Sequence, residues 1–225
     1  MKSLFVSLFL ISLSTLIAQQ KAYENVSLDA LMVETQFSSE DPDAMDMIWW
    51  IPFDFWAASF SQDPSVSAAD IEVIEELFEG YELFAVIKGK IGYFGGVTYE
   101  PLPEIIEQFK VFYKDQPLLI KDPKEIEPDL MNFVAMIQPM MANMFGDMGK
   151  NMHFIFMRNN NVTPVLPIDP LSKDTLRIEL GSFHREVDLP LSSLLKEKMC
   201  PVDKQRLSGK WSYCPFHGRE LAGQK

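Results

Sequence analysis

Apolar and polar residues follow helical spacing in two segments of this chain. Ser67 and Asp70 match a capping box with Asp in place of Glu, and apolar residues at helical spacing follow until Gly80. A longer helix is predicted over about 129–145, where Pro139 must kink or divide it. Both segments therefore predict helices that bury one face.

Other segments have the short alternation and the turn residues of antiparallel strands. Residues 176–180 and 183–189 alternate cleanly around Gly181-Ser182, which predicts a hairpin. Three other predictions are a hairpin of 81–87 with 91–99, a hairpin of 110–113 with 118–121, and a strand over 152–158. Together with the helices, they predict an α+β fold: an antiparallel, sandwich-like sheet with flanking helices. No internal repeat is evident.

The densest aromatic run of the chain lies between Trp49 and Phe60. Pro52 suits the first turn of a helix, so we predict a helix over about 53–61. Such a run is either core or an exposed partner surface, since Trp and Tyr dominate binding hot spots. Large apolar patches are uncommon on the surface of soluble monomers, which favours core.

The first 18 residues have the order of a secretory signal. Lys2 precedes a short apolar stretch, and Ala18 is a small residue at a suitable cleavage position. The stretch is too short to predict a good membrane span. We therefore expect a soluble periplasmic or secreted protein, with no membrane span after signal removal. Its segments would be a signal at 1–18, a polar and weakly ordered lead-in at 19–43, an α+β body at 44–195 and a small tail at 196–225.

Charge excludes one class of partner and disfavours another. The formal net charge is −12, and it becomes −13 without residues 1–18, whose only charged residue is Lys2. Nucleic acid and anionic membranes are bound through clustered Lys and Arg, which are scattered here. Hydrolase motifs such as Gly-x-Ser-x-Gly and His-Glu-x-x-His are absent from the sequence. Glu75 and Glu79 fit a solvated helix face better than an acid/base pair.

The tail has the most specific motif. Cys200-Pro-Val-Asp203 and Cys214-Pro-Phe-His217 contain the only two cysteines and resemble the two knuckles of a zinc ribbon, with Gly209 at the turn between them. Asp203 and His217 stand where a zinc ribbon has its other two cysteines. Carboxylate oxygen and imidazole nitrogen also bind zinc, so the predicted site is a structural zinc held by Cys200, Asp203, Cys214 and His217.

A disulfide between Cys200 and Cys214 is the main alternative, and free thiols are the remaining one. The disulfide would close a loop of about fifteen residues and contribute roughly 3 kcal/mol, in a compartment that favours oxidation. A catalytic metal is disfavoured because four protein ligands leave no open position for water.

Methionine offers a second possible metal site. Eight methionines lie between Met131 and Met157, with His153 among them, and thioethers can bind copper(I). Several interleave with apolar helix positions, however, so a methionine-rich core helix accounts for most of them.

The segments at 49–56, 84–95 and 143–153, together with the two-cysteine tail, resemble a family of secreted proteins of Gram-negative bacteria that carries no assigned activity. The resemblance implies compartment and tail motif only. We expect a non-enzymatic binding or assembly module of the cell envelope, with a protein partner there. The alternatives are an extracytoplasmic metal-handling protein, for zinc or copper, and an enzyme of unrecognised type.

Overall fold

The computed structural model describes residues 20–160, 162 and 164–223. The predicted secretory signal at 1–18 lies outside these residues and stays a prediction.

Helices are interspersed with strands along the described chain, and the strands pair in antiparallel sheets. The helices are α1 (Leu28–Thr35), α2 (Phe53–Ser61), α3 (Ala68–Phe78), α4 (Leu102–Gln108), α5 (Pro128–Phe145) and α6 (Asp147–Lys150). The strands are β1 (Gln36–Ser38), β2 (Met47–Ile51), β3 (Tyr81–Ile87), β4 (Gly89–Ile91), β5 (Val97–Tyr99), β6 (Phe109–Tyr113), β7 (Gln116–Pro117), β8 (Leu119–Ile120), β9 (His153–Arg158), β10 (Thr175–Leu180), β11 (Phe183–Asp188), β12 (Lys198–Met199), β13 (Arg206–Leu207) and β14 (Ala222–Gly223). The predicted α+β class is confirmed.

Two sheets share one hydrophobic core. A five-stranded sheet has the order β1-β2-β3-β9-β8, and a four-stranded sheet has the order β11-β10-β6-β7. Phe84 of β3 meets Phe109 of the second sheet with ring centroids 5.6 Å apart. Phe156 of β9 meets Phe78 of α3 at 6.4 Å. The first sheet is therefore covered by the second sheet on one face and by helices on the other, as its fully apolar strand β2 requires.

The aromatic run is core, as we favoured. Trp49, Trp50 and Trp56 are each at most 3% exposed. Trp56 packs edge-on against Phe133 of α5, at 5.0 Å. Helix α2 begins after Pro52, so these aromatic rings join the first sheet to α5.

Both predicted long helices form. Ser67 and Asp70 complete the capping box of α3, each side chain bonding the other's backbone amide. Helix α5 continues through Pro139 as one element and ends before Gly146, whose φ is 58°. Within the described residues, no helix is long and apolar enough to cross a membrane.

Two of the predicted hairpins are wrong in their pairing. Strand β3 does not pair with residues 91–99: it lies between β2 and β9 at the centre of the first sheet. The hairpin here is the smaller pair β4–β5. Strand β6 turns at Lys114 and Asp115, both with positive φ, to pair with β7. The chain then crosses to the first sheet, where β8 pairs with β9.

The segment that we expected to be a weakly ordered lead-in belongs to the packed body. Strand β1 pairs with β2, and Leu31 and Phe37 are buried in the core. The Glu34 carboxylate accepts hydrogen bonds from the amides of Ser192 and Ser193, both at 2.8 Å. This contact ties α1 to the chain that leads into the tail.

The methionine-rich helix is not mainly core. Met136, Met140 and Met144 of α5 are 64%, 50% and 63% exposed, whereas Met141 is buried. The first three follow a four-residue spacing, which places them on one face of the helix. The expectation of buried thioethers is therefore wrong for this face.

Candidate metal centre

The tail consists of two turns with the same backbone hydrogen bonds. The amide of Cys200 donates to the carbonyl of Gln205 (2.9 Å), and the amide of Lys204 donates to the carbonyl of Cys200 (3.0 Å). In the second turn, the amide of Cys214 donates to the carbonyl of Arg219 (2.7 Å), and the amide of Gly218 donates to the carbonyl of Cys214 (2.8 Å). Each cysteine therefore begins a closed loop of six residues.

The two turns also share a left-handed residue. Lys204 and Gly218, each four residues after its cysteine, have φ of 63° and 61°. Glycine adopts this conformation without cost, whereas a side chain there is strained by about 1 kcal/mol. The first turn thus keeps the geometry of the second despite an unfavourable residue.

A 14-residue internal repeat accounts for this similarity and corrects the expectation that no repeat is present. Cys200-Pro and Leu207 correspond to Cys214-Pro and Leu221. The two cysteines and the two leucines form a small buried cluster of their own. The pattern of Cys-Pro with Leu seven residues after the cysteine is visible in the sequence and was the missed signal.

Three of the four predicted ligands converge. The sulfurs of Cys200 and Cys214 lie 3.4 and 3.5 Å from Nδ1 of His217. Their three ligand atoms all lie within 4.8 Å of one another. Zinc bonds of about 2.3 Å to sulfur and about 2.0 Å to nitrogen, at tetrahedral angles, separate sulfur from nitrogen by roughly 3.5 Å. This group could therefore hold a metal ion.

Asp203 lies beside this group but is not a member of it. Its Oδ2 is 3.8 Å from Nδ1 of His217, and its side chain also bonds the Cys200 thiol. A tetrahedral oxygen–nitrogen separation is roughly 3.3 Å, so a small rotation would be needed. Its Oδ1 accepts a hydrogen bond from the amide of Gln205 at 3.0 Å, which fixes the carboxylate in the turn.

Backbone amides point at both sulfurs. The thiol of Cys214 accepts from the amides of Phe216 and His217, and that of Cys200 from the amides of Val202 and Asp203. Loss of solvent raises the pKa of the Cys200 thiol. For Cys214 the same effect is outweighed by these amides and by His217, so its pKa is lowered. Amide donors stabilise thiolate, which is the form that binds metal.

The cysteines are buried free thiols and are not joined in a disulfide, and His217 is exposed at the edge of the site. After Gly209, Tyr213 makes a single antiparallel bridge to Glu220. Strand β12 pairs with both β13 and β14, so the first turn joins the central strand of a three-stranded sheet to one of its edge strands.

No protein-family model, curated protein or solved structure matches this chain. The residues of the tail and of the body therefore carry the functional inference by themselves.

Proposed function

We propose that this protein is a non-enzymatic binding or assembly module of the cell envelope, and that a structural zinc ion organises its tail. The observation that supports zinc is the pair of equivalent turns, which present Cys200, Cys214 and His217 at tetrahedral spacing. Two thiolates and an imidazole suit zinc well, and Asp203 is the proposed fourth ligand. Zinc would be structural because a four-ligand site is closed to water.

The tail surface supports the binding role. Trp211, Tyr213 and Phe216 are 44%, 62% and 68% exposed, close in sequence to Cys214 and His217. Exposed aromatic side chains are frequent at the centres of protein interfaces. A metal that fixes the two turns would hold these rings in place for a protein partner of the envelope.

The direct test of zinc is native mass spectrometry of the protein purified without chelator, with elemental analysis and thiol counting on the same sample. We expect one zinc per chain and two alkylatable thiols after denaturation. A metal-free mass two hydrogens lower would identify a disulfide and overturn the zinc proposal. His217→Ala should lose zinc and lower the Tm. The variant Phe216→Ala, at the neighbouring exposed position, should keep the zinc and the Tm of the wild type.

The binding role is tested with a photo-crosslinking amino acid at position 216, in cells that express the protein. We expect a discrete adduct that His217→Ala abolishes. The same crosslinker at Val33, which is 79% exposed on α1, is the control. Equal adducts from both positions, or none from position 216, would contradict a tail-directed partner.

Copper handling is the second candidate, and the exposed face of α5 favours it. Met136, Met140 and Met144 present thioethers at four-residue spacing, and copper(I) binds such sulfur. Copper in the elemental analysis that disappears with Met140→Leu and Met144→Leu would support it. Zinc as the only bound metal would contradict it.

A further inference from the structure

A cavity of about 730 Å³ lies in the body, apart from the metal centre. It opens between the start of α2, the second half of α3, the start of β3 and the segment 167–170. Its volume is within the range of pockets that hold small organic molecules.

The charge of this cavity has one sign. Among the described residues that line it, none is Lys, Arg or His, and seven are carboxylic acids. These are Asp54, Glu72, Glu75, Glu76, Glu79, Glu82 and Asp169. No ion pair of the described chain includes any of the seven. Lys121 lies 5.7 Å from the centre of the Tyr81 ring, but its ion pair is with Glu125.

Two of these acids are buried in the wall. Glu82 is 5% exposed, and its two oxygens accept hydrogen bonds from the indole of Trp50 and the amide of Ile168, both at 2.9 Å. Asp54 is 9% exposed. Apart from its own amide, its one hydrogen-bond donor in the described chain is the hydroxyl of Tyr23, at 3.1 Å. Burying a carboxyl that has no cation nearby and a single hydrogen-bond donor from another residue costs folding free energy. A ligand that supplies the missing charge or donor would offset this cost.

Burial leaves these acids prone to hold a proton. It raises the pKa of Glu82 to about 8 and that of Asp54 to about 6, and the hydrogen bonds from Trp50 and Tyr23 offset only part of the effect. An arriving cation would favour the ionised forms, because an opposite charge nearby lowers a carboxyl pKa. Cation binding should therefore release protons.

The remaining walls are apolar and favour an organic cation over a metal ion. Ile51, Phe53, Phe78 and Ile168 contribute hydrocarbon surface. In the described part of the chain, the one group of three or more acidic, Cys or His side chains close enough to hold a metal is the tail group. The cavity carboxyls form no such group, while an aromatic wall with acids beside it suits an ammonium group on an apolar body.

We propose that this cavity binds a small organic cation, with its ammonium or guanidinium group against Asp54 and its hydrocarbon or aromatic part against Phe53 and Phe78. The acids of α3 at the rim raise the local concentration of such cations, as one-signed clefts do. This site is independent of the zinc proposal.

The test uses three probes of matched shape on the full chain as purified: phenethylammonium, 2-phenylethanol and phenylacetate. Isothermal titration at neutral pH should show binding of phenethylammonium, at least about tenfold weaker binding of the alcohol, and none of the anion. At about pH 6, where Asp54 is half protonated, titrations in buffers of different ionisation enthalpy should reveal proton release on binding of the amine. Equal binding of all three probes, or no binding of the amine at about 10 mM, would overturn the proposal.

Variants locate the site. Asp54→Asn should weaken amine binding at least about tenfold. Glu75→Gln, at an exposed position on the rim, should weaken it by a smaller factor and cannot disturb the core. Glu107→Gln removes an exposed carboxylate outside the cavity and should bind like the wild type, as should His217→Ala. Unchanged binding by both Asp54→Asn and Glu75→Gln would place the amine elsewhere and refute the assignment.

Discussion

The candidate metal centre of the tail and the acidic cavity of the body are assembled in opposite ways. The proposed tail ligands lie between Cys200 and His217, and local backbone hydrogen bonds shape each turn. The cavity joins Tyr23, Asp54, Glu82 and Asp169, which only the folded core brings together. A locally built site depends on its ion for stability, whereas a site built by the core can keep unpaired acids because the surrounding packing stabilises the fold.

The largest expected difference between the two regions is their response to pH. The folded-state pKa of Glu82 is about 8, above the ordinary value of 4.5 for the unfolded chain. The folded body therefore holds a proton that the unfolded chain releases, and its free energy of unfolding falls as pH rises from about 5 to 8. For this fully buried group the loss is of the order of 3–5 kcal/mol.

Zinc in the tail should respond in the other direction, because acid protonates its thiolates and releases the ion. Urea unfolding of wild type and Glu82→Gln at pH 5 and 8 measures the body, and zinc retention at the same pH values measures the tail. Glu82→Gln should flatten the pH dependence of unfolding and leave zinc retention unchanged. If the free energy of unfolding and the zinc retention changed with pH in the same direction, the proposed difference between body and tail would be wrong.

A smaller loss of stability is expected from a substitution where the tail packs against the body. A Cβ at Gly209 would lie 2.5 Å from the carbonyl oxygen of Lys196 and 2.6 Å from Cβ of Leu195. The backbone must therefore shift, and Gly209→Ala should lower the free energy of unfolding by about 1–3 kcal/mol, seen as a lower Tm of the protein as purified.

Gly96→Ala is the matched control for this variant, because nothing lies within 4 Å of its added Cβ. Amine binding by Gly209→Ala should equal that of the wild type if the two regions are independent. A loss of amine binding would show instead that the tail supports the cavity.

The same contrast explains what could be predicted from the sequence. The capping box of α3, the hairpin β10–β11 and the tail motif depend on neighbours in the chain, and each was predicted. Strand β3 was assigned the wrong partner because its pairing with β2 and β9 depends on distant segments. Nothing in the sequence indicated that Glu82 is buried, because its burial follows from the central position of β3. The exposed methionines of α5 were mistaken for core because composition does not show which helix face is covered.

The smallest effect concerns Asp203, the proposed fourth ligand of the tail. Asp203→Asn keeps the size of the side chain and the oxygen that accepts from Gln205, but removes the charge beside His217. Competition with a chelator should show zinc affinity about 10–100-fold lower, with the stoichiometry still one, and His217→Ala should lose more. An unchanged affinity would mean that Asp203 is not a ligand. The fourth position would then be open to water, as in catalytic zinc sites, and the ligand set would no longer exclude a catalytic role for the tail.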